Sequence, residues 1–285
     1  MHAKVKVSAI QMRMSEDKNS NVKKAEQLVK KAAAEGANII LLPELFQTLY
    51  FCKDIDEKYF EWAQPLKNNE LIQHFAALAK EYHVVILVSY FEKAEKGYFN
   101  SLVVVDADGS VMDNYRKTHI PDGPGYEEKF YFAPGDTGFK VYETAYAKIG
   151  VGICWDQWFC ETARALTLMG AEIIFYPTAI GSEPEIHLDS KEHWQRVQMG
   201  HAATNTVPVV AANRTGKERG ESCELTFYGS SFITDYTGKI IAEAPRDKEA
   251  VIYAEFDLDE NAKQREYWGL LKDRRSDMYA KICQE

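Results

Sequence analysis

The sequence lacks the features that would assign it to a membrane or to nucleic acid. No stretch approaches the roughly 18 consecutive apolar residues of a membrane-spanning helix. The opening MHAKVKVSAIQM alternates charged and apolar residues instead of forming the apolar segment of a secretion signal. There is no long basic run, and 43 acidic residues outnumber 34 lysines and arginines, for a net charge of −9. We therefore expect no nucleic-acid partner, no membrane partner and a cytoplasmic location.

Cysteine is scarce, and its spacing excludes two further classes of protein. The five cysteines are Cys52, Cys154, Cys160, Cys223 and Cys283, an odd number without a C-x-x-C pair. Disulfide-stapled domains and structural zinc sites need paired or regularly spaced cysteines. At least one thiol is therefore expected to be free, and its chemical role is open.

What the chain has is a regular alternation of strand and helix patterns. The first half contains a strand pattern in KVKVSAIQM, a helix with a cap near Ser20 or Asn21 that ends at Gly36, and a buried strand in NIILLPE. The second half repeats this order with KIGVGICWD, a helix around residues 159–169, and EIIFYPTA. This pattern predicts a layered α/β protein with two related sheets inside and helices outside.

The length of 285 residues favours a single domain over residues 1–285. Its last part, residues 259–285, is charged but also carries large apolar side chains such as Tyr267 and Trp268. We expect this tail to pack at a subunit interface of a homo-oligomer, although packing on its own subunit would bury the same side chains.

Three titratable residues directly follow apolar strands. Glu44 follows IILLP, Lys117 follows DNYR and Cys154 follows GVGI. Open α/β sheets place their sites at such strand ends. Taken singly, each residue has an ordinary explanation as a turn cap, a solvated cation or a small buried thiol. The combination is what indicates a site.

These residue types together can carry out acyl transfer. The amide dipoles of a strand-to-helix turn and a cation such as Lys117 lower the pKa of a thiol, so we expect Cys154 to be an ionised nucleophile. Glu44, behind an apolar strand, suits proton transfer. The Lys117 ammonium and a backbone N–H near Trp155 would stabilise the oxyanion.

The segments LLPELF, YRKTHIP and GICWDQWFCETAR, which hold these three residues, resemble the signature segments of the nitrilase superfamily of carbon–nitrogen hydrolases. The resemblance covers nearly the whole chain. It implies a four-layer α-β-β-α sandwich in which Glu44, Lys117 and Cys154 are base, oxyanion stabiliser and nucleophile, without metal or cofactor. It also implies that Glu128 hydrogen-bonds the lysine and the substrate, whereas the residues alone would equally allow a solvated loop carboxylate.

Within the superfamily, CWDQWF, YPTAIGSEP and DGPGYEEKFYF resemble the branch that hydrolyses N-carbamoylputrescine in polyamine biosynthesis. Similar hydrolases of N-carbamoyl-D-amino acids carry arginines for the substrate carboxylate three and four residues after the nucleophile. This sequence has Gln157 and Trp158 there, and Cys160 where the branch would have proline. A small carbamoyl amine is therefore the expected substrate, with β-ureidopropionase and ω-amidase activities as alternatives.

A cationic amine is bound by carboxylates and by aromatic faces. The segments around the site supply both kinds of side chain, and the candidate binding residues are Asp122, Tyr126, Trp155, Trp158 and Glu183. Asp122 and Glu183 are the candidates for the amine itself, although acidic loop residues are commonly only solvated.

Three other interpretations stay open. Cys154 and His119 could form a papain-like pair, although this leaves the glutamate and the lysine without a role. His193 and His201 could bind a metal, although no third ligand stands at a recognisable spacing. The chain could also be a non-catalytic assembly protein, an interpretation that the three retained site residues disfavour.

Overall fold

Short strands that are apolar on both faces determine the layers of the fold. Ile39 and Leu41 lie in the apolar cluster between two sheets, whereas Ile40 and Leu42 lie in a second cluster beneath helices. Successive side chains of a strand point to opposite faces, so a strand that is apolar at every position must be covered on both sides. The computed structural model, which describes residues 4–182, 188–221 and 223–283, has this arrangement.

The strands, in chain order, are β1 (Lys4–Gln11), β2 (Ile39–Leu41), β3 (Val85–Ala94), β4 (Gly97–Val105), β5 (Tyr115–Arg116), β6 (Lys140–Glu143), β7 (Lys148–Val151), β8 (Ile173–Thr178), β9 (Val209–Asn213), β10 (Thr215–Arg219), β11 (Glu224–Tyr228), β12 (Phe232–Thr234), β13 (Ile240–Glu243) and β14 (Ala250–Asp257). The α-helices are α1 (Lys18–Ala34), α2 (Glu70–Tyr82), α3 (Glu128–Tyr131), α4 (Cys160–Leu168), α5 (Lys191–Asn205) and α6 (Leu258–Trp268).

Each half of the chain builds one mixed sheet around three parallel strands. The first sheet has the order β14-β1-β2-β3-β4-β5 and the second has the order β13-β12-β9-β8-β7-β6, while β10 and β11 form a separate hairpin. In the first sheet, β1, β2 and β3 are parallel and are connected through α1 and α2. In the second, β7, β8 and β9 are parallel and are connected through α4 and α5. The predicted four-layer α-β-β-α sandwich is confirmed.

The predicted cap of the first helix needs correction, and the helix predicted around residues 159–169 is confirmed as α4. Helix α1 is capped by Asp17, whose side chain accepts a hydrogen bond from the backbone N–H of Asn19, and not by Ser20 or Asn21. Ser20 instead donates its hydroxyl to Asp17, and Asn21 is buried. The helix that follows β7 is present, but a 3-10 turn, Cys154–Trp158, precedes it.

The long loop between β5 and β6 rests on a cluster of aromatic rings. Phe51 stacks on Phe91 at 5.1 Å between ring centroids and meets Tyr131, the last residue of α3, at 5.0 Å. Phe132, the next residue, packs edge-on against Phe91 at 5.1 Å. This packing fixes the short helix α3 and therefore its first residue, Glu128.

The C-terminal segment presents apolar side chains to solvent. In α6 only Leu258 and Asn261 are buried. The large apolar side chains exposed from this helix onward are Tyr267, Trp268, Leu270, Met278 and Ile282. Within the described ranges, the helices are too short or too polar to cross a lipid bilayer.

Candidate active site

The three residues singled out at strand ends come from both sheets and meet between them. Glu44 lies beyond β2 and Lys117 directly beyond β5 in the first sheet, whereas Cys154 lies beyond β7 in the second. All three are buried. The charges of Glu44 and Lys117 both act on the pKa of the Cys154 thiol, so the structure brings the three side chains into one electrostatic unit.

Lys117 occupies the centre of a buried charge cluster. Its Nζ donates to Glu44 Oε1 at 2.9 Å and to Glu128 Oε2 at 2.6 Å, and none of the three side chains is exposed. Burial lowers the pKa of Lys117, but the charges of Glu128 and Glu44 outweigh burial, and the net pKa lies well above its ordinary value. Lys117 is therefore held as a permanent ammonium ion.

Both carboxylate oxygens of Glu128 accept hydrogen bonds. Oε2 accepts from Lys117, and Oε1 accepts from the hydroxyl of Tyr50 at 2.6 Å. Burial raises the pKa of Glu128, against the lowering effect of the adjacent Lys117 ammonium. Tyr50 was not anticipated from sequence, because its link to Glu128 spans 78 residues.

Glu44 is held at one oxygen and left free at the other. Oε1 accepts from Lys117 and, at 2.7 Å, from the side-chain amide of Asn100 on β4. Oε2 is buried and has no hydrogen-bond partner among the described residues. The carbonyl oxygen of Glu44 accepts from Nη2 of Arg214 at 2.7 Å, which fixes the backbone at this position.

Arg214 belongs to a buried ion pair that also reaches Tyr50. Its Nη1 donates to Glu218 Oε1 at 2.8 Å, and Glu218 Oε2 accepts from the backbone N–H of Tyr50 at 2.6 Å. Both residues of the pair lie in the second half of the chain, and they bind the backbone of residues 44 and 50 in the first half. The one sequence signal for it is an arginine immediately after the apolar strand β9.

The nucleophile turn is held by Asp156, another residue that the sequence analysis missed. Cys154 has a positive φ of 42°, in a region that is costly for residues other than glycine. Asp156 Oδ2 accepts from the backbone N–H of Ile153 at 2.9 Å and from the hydroxyl of Tyr115 at 2.7 Å. Asp156 thus ties the turn that bears Cys154 to the strand that precedes Lys117.

The expected ionised state of Cys154 is wrong. Burial, followed by the charge of Glu44, raises the pKa of the thiol well above its ordinary value, and the opposing effect of Lys117 does not compensate. The helix dipole does not reach the thiol, because α4 begins only at Cys160. Cys154 is therefore a neutral thiol at rest, and a role as nucleophile would require a base to remove its proton.

A cavity of about 230 Å³ opens at Cys154. Of the candidate binding residues, the ones that line it are Asp122, Tyr126, Glu128, Trp155 and Trp158. Glu183, the sixth candidate, lies outside the described residues. Among the described residues that line the cavity, two are acidic and none is a lysine or an arginine.

The cavity wall is aromatic on one side. Trp155 and Trp158 lie with ring centroids 6.0 Å apart, and Tyr126 holds its hydroxyl 3.0 Å from the backbone N–H of Gly181, from which it accepts a hydrogen bond. Residues 157 and 158 are the positions at which similar hydrolases carry arginines for a substrate carboxylate. Gln157 is buried and accepts a hydrogen bond from the hydroxyl of Thr178. Of these two residues, Trp158 is the one that lines the cavity.

The histidines of the alternative interpretations have structural contacts. Nδ1 of His119 lies 2.7 Å from Asp156 Oδ1, and its ring stacks on Phe159 at 3.7 Å between centroids. No hydrogen bond joins it to Cys154 in the part of the chain that the structure describes. Nε2 of His201 lies 3.1 Å from the carbonyl oxygen of Gln157, and His193 packs edge-on against Trp158.

Comparison with known proteins gives consistent similarities over the full chain. Residues 6–266 match the family model described as carbon-nitrogen hydrolase. The chain is 56% identical over 280 residues to N-carbamoylputrescine amidase of Arabidopsis thaliana, covering 96% of this chain and 94% of that protein. It is 50% identical over 284 residues to citrullinase of Francisella tularensis, covering 99% of each. The crystal structure of a carbon-nitrogen hydrolase from Helicobacter pylori G27 is 37% identical, covers 99% of both chains and gives a TM-score of 0.92.

The raised pKa of Cys154 predicts how its reactivity depends on pH. A thiol with a raised pKa ionises only as the pH increases, so its alkylation by iodoacetamide should keep accelerating beyond pH about 8.5, where an ordinary thiol is half ionised. Mass spectrometry of the peptide that contains Cys154 measures this rate, with free glutathione in the same solution as the reference. A rate that reaches its plateau at neutral pH would show a preformed thiolate and contradict the prediction.

Proposed function

The chain belongs to the carbon-nitrogen hydrolase family, and we propose that it hydrolyses N-carbamoylputrescine to putrescine, ammonia and carbon dioxide as a step of polyamine biosynthesis. The relative from Arabidopsis thaliana carries the name of this activity. The observation that carries the proposal is the composition of the cavity at Cys154: carboxylates and aromatic rings line it, and no cation does among its described residues.

Two relatives are named for different substrates, N-carbamoylputrescine and citrulline. Citrulline is N-carbamoylputrescine with one carboxylate added at the carbon that bears the ammonium group. An enzyme for citrulline needs a donor for that carboxylate, and a bidentate arginine is the usual one. Asp122 and the rings of Trp155 and Trp158 instead favour a bare ammonium group and would repel or fail to bind a carboxylate.

Among the described residues, Lys129 is a cation that lies beside Asp122. Its Nζ lies 4.0 Å from Asp122 Oδ2, and both side chains are half exposed or more. Such surface pairs contribute little and are exchanged easily. Asp122 therefore stays available to the substrate ammonium group, which supports the proposed preference.

In the proposed reaction, Glu44 takes the proton of the Cys154 thiol as the sulfur attacks the carbamoyl carbon. The developing oxyanion is stabilised by the Lys117 ammonium and by the backbone N–H of Trp155. Glu44 returns the proton to the departing nitrogen, which leaves a carbamoyl group on the sulfur. A water molecule then gives a proton to Glu44 and attacks the carbamoyl carbon, and the sulfur leaves and takes that proton from Glu44. The released carbamic acid breaks down to ammonia and carbon dioxide.

We assign Glu128 to the position and charge of Lys117. Its two oxygens accept from Lys117 and Tyr50, and it lines the cavity, where the remaining lone pairs can accept from one nitrogen of the substrate. The charge of Glu128, the larger of the two carboxylate effects, raises the pKa of Lys117 and keeps the lysine protonated.

Ammonia release from the purified protein tests the substrate directly. We expect turnover of N-carbamoylputrescine with much lower kcat/KM for citrulline and for N-carbamoyl-β-alanine, because the cavity provides no cation for their carboxylates. Cys154→Ala should abolish turnover of every substrate. A preference for citrulline or N-carbamoyl-β-alanine would overturn the substrate assignment but leave the catalytic set intact.

Asp122→Asn tests the amine site. Removing one partly exposed charge should raise KM for N-carbamoylputrescine about fivefold, in keeping with the worth of roughly 1 kcal/mol for an exposed ion pair, and leave kcat nearly unchanged. Asp113→Asn, which removes another exposed carboxylate paired with a lysine elsewhere on the surface, is the matched control. Equal KM values for the two variants would remove Asp122 from the substrate site.

We propose that the protein is cytoplasmic and forms homo-oligomers through its C-terminal segment. Cys52, Cys154, Cys160 and Cys283 are free thiols, as expected in a reducing compartment. The exposed apolar side chains of the segment, above all Tyr267, Trp268 and Met278, form the type of surface that a second copy would cover.

The oligomeric state tests this surface. Trp268→Ser combined with Met278→Ser should shift the sedimentation coefficient toward a smaller species, because the lost apolar area weakens the interface. Ile55→Ser, which removes an equally exposed apolar side chain elsewhere, should not. An unchanged coefficient in the double variant would mean that the segment packs without a partner subunit.

A further inference from the structure

The two oxygens of Glu44 have unequal surroundings. Oε1 receives two buried donors, Lys117 Nζ at 2.9 Å and Asn100 Nδ2 at 2.7 Å. Oε2 is equally buried and has no donor among the described residues. Buried carboxylate oxygens normally have at least one partner, so an oxygen left open in the site is best explained by a partner that arrives during the reaction.

Asn100 is an unexpected residue for its place in the fold. It lies on β4, between Phe99 and Ser101 and before the apolar run Leu102–Val105, and is completely buried. Its Nδ2 binds Glu44, but its Oδ1 has no partner within the described ranges. An amide that leaves one buried acceptor unsatisfied destabilises the fold, so its presence calls for a function.

The backbone of Asn100 touches the second charged residue of the site. Its carbonyl oxygen accepts from the backbone N–H of Lys117 at 2.8 Å. One residue of β4 therefore fixes the backbone of the oxyanion-stabilising lysine and the side chain of the base. Substitution of the Asn100 side chain would leave the backbone contact in place and remove only the contact to Glu44.

We propose that Asn100 is a positioning residue that holds Oε1 of Glu44 and thereby reserves Oε2 for proton transfer. This inference rests on the proposed roles of Glu44 and Cys154. The thiol proton passes to Oε2, moves to the departing nitrogen, and is replaced by a proton of the water molecule that releases the carbamoyl group. Without Asn100 the carboxylate can rotate on a single contact to Lys117, and Oε2 no longer faces the thiol.

Asn100→Ala tests the proposal against a neighbour on the same strand. We expect kcat to fall by about 10- to 100-fold with KM nearly unchanged, because a misplaced base slows chemistry without weakening binding. Ser101→Ala is the control: Ser101 is also buried and also donates to a carboxylate, that of Glu92 at 2.6 Å. It should lower the temperature of unfolding similarly and leave kcat unchanged.

The division between kcat and KM distinguishes positioning from general damage. A misplaced base lowers kcat in Asn100→Ala alone, whereas partial unfolding would lower the amount of active enzyme in Ser101→Ala as well. Asn100→Asp, of nearly the same shape, provides a second variant. It should lower kcat at least as strongly, because an ionised Asp replaces the donor with a like charge. A kcat within twofold of the unsubstituted protein in either folded variant would overturn the proposal.

Glu44→Gln separates this inference from the proposed function. We expect it to lower kcat by about 100-fold or more, and addition of Asn100→Ala should cause no further loss, since the side chain that Asn100 positions no longer accepts a proton. If Glu44→Gln retains activity, the role of Glu44 itself fails. If Glu44→Gln is inactive while Asn100→Ala is fully active, only the inference about Asn100 fails.

Discussion

The contact on which the rest of the site depends is the buried ion cluster in which the Lys117 ammonium lies between Glu44 and Glu128. Isolated charges are expensive to bury, and each of these three is tolerated only because the others compensate it. The surrounding contacts serve the same requirement: Tyr50 donates to Glu128, and Asn100 donates to Glu44. The same contacts that arrange the side chains of the site therefore also allow their charges to be buried.

The protonation state of Cys154 depends on the ion cluster beside it. Besides burial, the charge of Glu44 raises the pKa of the Cys154 thiol, and in the proposed reaction the same carboxylate removes the thiol proton. With these roles the thiol stays protonated in the absence of substrate, in contrast to sites in which a thiolate is formed in advance. In the proposed reaction, the thiol loses its proton only in the step in which the oxyanion forms beside Lys117.

Local sequence was sufficient to predict the layers of the fold and the three central residues. The apolar strands and the positions of Glu44, Lys117 and Cys154 at their ends are properties of short segments. The pKa of Cys154 and the contacts of Asn100 and Arg214 were not accessible in the same way. They depend on residues that only strand pairing and sheet packing bring together, such as the contact of Arg214 with the Glu44 carbonyl across 170 positions. The cap of α1 is a local contact, and it was misplaced because Asp17, Ser20 and Asn21 are all residue types that cap helices.

The proposed base and the proposed nucleophile follow strands of different sheets, and the Arg214–Glu218 pair from the second half of the chain holds the segment that bears Glu44. With these roles, neither half can contain a working site by itself, however complete its own strands and helices are. Enzymatic activity therefore reports the docking of the two halves and not the formation of either one. It also means that a mild disturbance of their contact would silence the enzyme before any loss of secondary structure.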